Sequence, residues 1–326
     1  MSTKKSQSAG SARAYRLDLK LLNRIERLSE TQFVYVMLLP VFALLGTMAI
    51  WPLLYTANIS LHADNIASAD PVGAFVGLEN YVRILTGEAN LRRPFLDLNT
   101  PFTSALPVTL MFTAVAVVAE TLLGFAMALI LDQEFRGRRW VRVGMILPWT
   151  VPIVIQGMIF YLLFQPSLGF LVGPLQNLGL LSGSPLANSQ DSLLIVILGD
   201  IWKQSAFMAL LILAGLQSID RSLYDVAEMS GASRLQQFRT ITFPLVLPTL
   251  LVALLFRTIA ALKVYGLVET VSSCNTVPTL SCLVISTWNA NRYGSAAAIA
   301  FVIATIIALL LLFYLQQFRK QEHGGI

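Results

Sequence analysis

The sequence predicts an all-α, polytopic membrane protein with six spanning helices. Three observations carry that reading. First, 56% of the 326 residues are hydrophobic and only 13% are charged, with a mean hydropathy of +0.68. Soluble domains carry about 25% charged residues, so this composition excludes a soluble enzyme, a disordered chain and a nucleic-acid binder. Second, the apolar residues fall in long blocks, each able to cross about 30 Å of hydrocarbon as a helix. None has the short alternation of a membrane β-barrel. Lipid leaves a helix as the remaining way to satisfy the backbone. Third, Lys and Arg are distributed unevenly between the connections.

The blocks are Gln32–Ala57, Leu106–Leu131, Val143–Phe164, Leu193–Gln217, Leu245–Val264 and Ala296–Phe318. Ahead of the first lie Lys4, Lys5, Arg13, Arg16, Lys20, Arg24 and Arg27. The second-to-third connection holds Arg136, Arg138, Arg139 and Arg142; the fourth-to-fifth holds Arg221, Arg234 and Arg239; the tail holds Arg319 and Lys320. The opposite-side segments hold Arg83, Arg92, Arg93 and Arg292. Cytoplasmic loops carry the cationic excess, so both termini are expected inside. No small-residue cleavage site follows the first block cleanly, which marks it as a retained anchor rather than a removed signal peptide.

The expected organisation is a cytoplasmic tail over 1–30, a first spanning helix over 31–57 and an extracytoplasmic segment over 58–105. A core over 106–318 follows, then a cytoplasmic tail over 319–326. Leu17, Leu21, Ile25 and Leu28 form one stripe of a helix over Tyr15–Ser29. That helix either lies on the bilayer surface or packs on the base of the protein. The Ser- and Lys-rich start has the composition of a disordered segment.

The connection between blocks four and five, over 218–245, is the most informative stretch. Asp220 or Ser222 can accept from free amides and start a helix. Gly231 suits the left-handed position after a helix end. Ser233 and Gln236 have capping-box spacing, so a second helix begins at once. Pro244 is expected to interrupt the chain before the fifth block. Leu223, Val226, Ala227, Leu235 and Phe238 give this knuckle an apolar surface with no core of its own, as a docking element requires.

Here the residues carry a resemblance. The loop resembles the Glu-Ala-Ala loop of type I ABC importer permeases, matching at Tyr224, Ala227, Gly231, Ala232, Phe238, Ile241, Pro244 and Pro248. It departs at Asp225, Val226, Ser230 and Phe243; Asp225 keeps a carboxylate for a salt bridge or cap on a shorter arm. Phe75-Val76-Gly77-Leu78-Glu79-Asn80-Tyr81, Trp202-Lys203 and Tyr293-Gly294-Ser295-Ala296-Ala297 are similar to segments of the maltose, glycerol-phosphate and trehalose branch, first-subunit type. The resemblance implies the type I importer permease fold in the bacterial or archaeal inner membrane. It also implies a second homologous permease, two ATP-binding subunits that hold ATP and Mg, and an extracytoplasmic solute-binding protein. The solute would be a sugar or related polyol or glycoside, moved by alternating access. The coupling residues would be Tyr224, Asp225, Ala227, Gly231, Ala232, Phe238, Pro244 and Pro248.

No Gly-x-x-x-x-Gly-Lys-Ser/Thr loop is present, so ATP must be hydrolysed elsewhere. Two Cys and two His give no four-ligand metal site, and no catalytic constellation lies in the blocks; the chain is expected to be no enzyme. The alternative is an ion-coupled secondary transporter, against which the six-block count and single docking loop argue. Intramembrane charges are costly and usually face a cavity or one another. Arg257 and Glu120 are expected at mid-depth, as a structural pair in preference to solute contacts. Asp200 and Lys203, one turn apart, either pair locally or line the cavity; Lys263 is a further candidate. Sugars are held by hydrogen bonds and aromatic faces, so Trp149, Gln156, Tyr161, Trp202, Lys203, Gln204 and Tyr265 are candidates for the solute path, each with a packing or interface role as the alternative. Cys274 and Cys282 share the last extracytoplasmic segment, as a disulfide or as two thiols.

Overall fold

A computed structural model describes residues 29–66 and 72–324. The helix expected over Tyr15–Ser29 lies outside these, save for Ser29. Two compact units divide at Asn58 and Ile59.

In the first unit, Ser29 and Gln32 form a reciprocal capping box that opens the first spanning helix, α1 (Glu30–Ser60). Its Pro40 lies within regular helix, whereas a π-helical turn over Gly46–Ile50 precedes Pro52. The extra residue of such a turn gives room for a proline ring that lacks an amide donor. Phe33, Leu39, Leu44 and Trp51 are all exposed, as suits side chains whose solvent is lipid.

The second unit begins with an antiparallel hairpin of β1 (His62–Asp64) and β2 (Val72–Phe75), with His62 opposite Phe75 and Asp64 opposite Val72. Then come α2 (Glu79–Thr86), α3 (Ala105–Asp132), α4 (Arg138–Thr150), α5 (Ile153–Phe164) and α6 (Val172–Asn177). They are followed by α7 (Ser189–Gln217), α8 (Ser222–Met229), α9 (Arg234–Leu262), α10 (Gly266–Val271), α11 (Leu280–Asn289) and α12 (Tyr293–Gly324). Among the described residues, five helices are long and apolar enough to cross a membrane: α1, α3, α7, α9 and α12. The helices α4 and α5 pass that test only as a pair, bent by 93° where they meet. Pro148 lies inside α4 and Pro152 caps α5; two prolines four apart remove two amide donors and leave Val151 extended.

Three buried clusters hold this unit together. One, including Val108, Phe112, Val196, Leu267 and Val271, joins α3, α7 and α10. A second, including Leu131, Met208, Leu216 and Val246, joins the last turns of α3 and α7 to α9. A third, including Ile84, Phe95, Leu283 and Ile299, joins α2 and α11 to α12. Lipid is as apolar as these side chains, so close packing and polar contacts supply the specificity.

Two sequence segments far apart meet beside the hairpin. Asn80 donates to the Ser60 and His62 carbonyls at 2.9 and 2.8 Å, and the Tyr81 and Ser60 hydroxyls lie 2.7 Å apart. Asp64 accepts from the Ser295 amide at 2.9 Å and its hydroxyl at 2.6 Å, supplying α12 with a cap from 231 residues away. At Gly294 a Cβ would lie 2.1 Å from the His62 carbonyl oxygen, so only glycine permits this approach. The Asn80-Tyr81 and Tyr293-Gly294-Ser295 segments are thus two sides of one joint.

Candidate functional site

The knuckle is built by local caps. Asp220 accepts from the Ser222 amide at 2.9 Å and starts α8; that amide holds the Asp220 carboxyl below the usual aspartate range. At the far end Gly231 takes φ +78°, its amide donating to the Glu228 carbonyl and that of Ala232 to Ala227, both at 2.9 Å. Gln236 Oε1 accepts from the Ser233 amide at 2.7 Å while Ser233 Oγ accepts from the Gln236 amide, starting α9 two residues after the turn.

Tyr224 anchors the knuckle inward, its hydroxyl 3.0 Å from that of Thr242. Phe238 meets Phe125 of α3 edge-on with ring centres 5.6 Å apart, and Arg221 pairs with Asp132 at the end of α3 at 2.7 Å. Leu223, Val226, Met229 and Leu235 point outward and are exposed, Met229 by 82%. The result is an apolar ridge on a tethered base.

Two expectations are corrected here. Pro244 does not interrupt the chain. A π-helical turn over Phe238–Thr242 precedes it, and Pro244 falls in the first turn of the following α-helix, where its missing donor costs nothing. The knuckle therefore continues as one helical rod to Leu262. Asp225 is exposed and makes neither a side-chain cap nor an ion pair among the described residues. Asp220 holds the cap, and Arg221 turns to Asp132. Pro248 lies within the same rod; Ala227 and Ala232 are half-buried.

Deep in the helices, Arg257 Nε and Nη2 both donate to Glu120, the latter at 2.9 Å, and Nη2 also donates to Asp200. The three side chains are 3%, 0% and 9% exposed. One guanidinium fork thereby ties α9 to α3 and α7. The local Asp200–Lys203 pair is corrected: Lys203 Nζ donates instead to the Val151 carbonyl at 2.7 Å, a group that the break leaves without an intrahelical partner. Lys263 is exposed at the end of α9 and joins no ion pair among the described residues.

Several of the solute-path candidates are held by contacts of their own. Trp149 stacks on Phe207 at 6.2 Å, and Lys203 holds the break. Gln156 is buried and donates to the Gly199 carbonyl at 2.7 Å. Trp202 leans on Phe160 at 6.0 Å. Tyr161 is 39% exposed and Gln204 half-buried. Tyr265 lines a separate cavity before α10. Cys274 and Cys282 are joined in a disulfide across eight residues. Phe125, Asp132 and Thr242, which tether the knuckle, carry no signal in the sequence; nothing local marks a partner 89 residues away.

Five apolar helices long enough to cross a membrane, among the described residues, with a capped helical knuckle between α7 and α9, define a polytopic membrane protein. The chain belongs to the family of inner membrane components of binding-protein-dependent transport systems, whose model matches residues 120–321; it is a permease subunit of an ABC importer. It is similar to the trehalose/maltose transport system permease protein MalF of Thermococcus litoralis, with 33% identity over 296 residues, covering 89% of this chain and 96% of the relative. It is also similar to the trehalose transport system permease protein SugA of Mycobacterium tuberculosis, at 29% identity and 92% of each chain. Its fold is shared with a chain of a bacterial ABC transporter involved in the import of alginate. There the TM-score is 0.71 at 23% identity, over 92% of this chain and 99% of that one.

Proposed function

We propose that this subunit moves a sugar or related polyol or glycoside inward by alternating access, driven through the knuckle. The printed functions of the trehalose and maltose relatives support the solute class. The observation that carries the coupling role is the exposed ridge of Leu223, Val226, Met229 and Leu235. Leu223, Val226 and Met229 stand on α8 and Leu235 on α9, which follows the Gly231 turn and runs to Arg257. Displacing the ridge displaces that rod, and the guanidinium fork passes the displacement to α3 and α7.

The partners in this reading are a second homologous permease, two ATP-binding subunits that hold ATP and Mg, and an extracytoplasmic binding protein. The uneven placement of Lys and Arg supports an inner-membrane orientation with both termini and the knuckle in the cytoplasm. The test is a Val226→Cys variant cross-linked in membranes that contain the ATP-binding subunits, together with uptake of a panel of labelled sugars. The reading expects a cross-link to an ATP-binding subunit and ATP-dependent uptake of a sugar. Uptake that persists without ATP would return the chain to the ion-coupled alternative.

A further inference from the structure

At the end of α9 opposite the knuckle, two cavities adjoin. The first, of about 190 Å³, is lined by Arg92, Tyr265, Glu269, Asn275, Ser286 and Asn289 among others. The second, of about 220 Å³, is lined by Asn90, Arg92, Ser286, Thr287 and Arg292 with two further residues. Arg92, Ser286 and Ala290 belong to both, so the cavities share a wall. Taken together they reach the size of a small-molecule pocket, about 300–1,000 Å³.

The walls are fixed before any ligand arrives. The Cys274–Cys282 disulfide closes one side of the first cavity. Arg93 donates to the Asn275 carbonyl at 2.6 Å, and Arg292 donates to the Asn90 carbonyl. Glu269 accepts from the Cys274 amide at 3.0 Å through one oxygen, leaving its other oxygen as an acceptor. A second, independent feature lies in the other cavity. The Thr287 hydroxyl is buried, at 4% exposure, with no hydrogen-bond partner. A buried polar group without a partner is costly, and a ligand hydroxyl supplies what it lacks.

We infer that the two cavities form a binding site for a neutral glycoside of two rings, one ring in each, at the mouth of the permease opposite the knuckle. The chemistry matches a sugar pair. Tyr265 offers an aromatic face to a ring, the guanidinium of Arg92 and the amides of Asn275 and Asn289 serve vicinal hydroxyls, and Glu269 accepts from a hydroxyl. One cation and one carboxylate, Arg92 and Glu269, line the first cavity, so its lining favours neither sign of charge and suits a neutral ring. This inference rests on the sugar reading above and adds where the solute is first held by this chain.

The test uses the whole transporter, both permeases with their ATP-binding subunits, in nanodiscs without the binding protein. Trehalose, maltose and sn-glycerol 3-phosphate are titrated by calorimetry against the parent and two variants. Ser286→Trp fills the shared wall and is expected to weaken disaccharide binding at least tenfold. Thr287→Val removes only the orphaned hydroxyl and keeps the test open should the larger change disturb assembly; it is expected to weaken binding about threefold. Unchanged affinity in both variants overturns the inference, as does tight binding of the phosphate with none of either disaccharide. Uptake by the complete system with its binding protein separates the two readings. Uptake of no sugar by the parent sinks the solute class. Sugar uptake with binding indifferent to residues 286 and 287 sinks the site alone.

Discussion

Replacing Arg257 by Met should destabilise the folded subunit by about 3–5 kcal/mol, because it strands two buried carboxylates. The magnitude follows from the environment. Glu120 and Asp200 are 0% and 9% exposed and share one cation. Without it, their charges face each other in a medium that screens poorly. Removing all three charges is a different perturbation. Glu120→Gln with Asp200→Asn and Arg257→Met leaves no buried charge, and buried ion clusters replaced by neutral groups are often near neutral in stability. The triple variant should therefore recover most of what the single variant loses. The assay is the unfolding midpoint of the purified complex in detergent, followed by tryptophan fluorescence, for the parent, the single variant and the triple variant. A single variant as stable as the parent, or a triple variant less stable than the single, would falsify the mutual dependence of these three groups.

Other outcomes follow from the same geometry. Lys203→Met should free the Val151 carbonyl at a cost of about 1 kcal/mol and speed amide exchange across 151–156 several-fold; unchanged exchange would show that Lys203 does not hold the break. The Asp220 carboxyl is held below its ordinary range by the Ser222 amide. Its contribution to α8 is therefore complete above about pH 4 and lost as pH falls through the lowered value. Protection of the Leu223–Asp225 amides, measured against the intrinsic exchange rate at each pH, should fall on acidification in the parent; protection that changes with pH no more than in Asp220→Asn would show that the carboxylate does not hold the start of α8.

The knuckle was legible because its signals are local: Gly231, Ser233 with Gln236, and Asp220 act within a few residues of themselves. The spanning helices were legible from length and hydropathy, with ends that moved by a few residues, as from Leu193 to Ser189 in α7, except that α9 begins at Arg234, well ahead of the expected Leu245. What escaped depends on long-range placement. Asp200 had a cation one turn away in Lys203, and sequence spacing left local pairing and cavity lining both open; the fold gave it Arg257, 57 residues on. Pro244 has the chemistry of a helix breaker, yet a π-helical turn absorbed it. The hairpin escaped because its strands are three and four residues long, and its purpose, carrying Asp64 to Ser295, appears only once α12 is in place.

The central claim is that the knuckle transmits ATP hydrolysis to the membrane helices, and Gly231→Pro tests it most directly. Gly231 takes φ +78° and donates its amide to Glu228. Proline is confined near φ −65° and has no amide to give, so the turn between α8 and α9 cannot form while the spanning segments are untouched. The measurement is solute-stimulated ATPase activity of the reconstituted complex, alongside membrane insertion of the variant. The account predicts normal insertion with stimulation abolished; normal stimulation in that variant would contradict it.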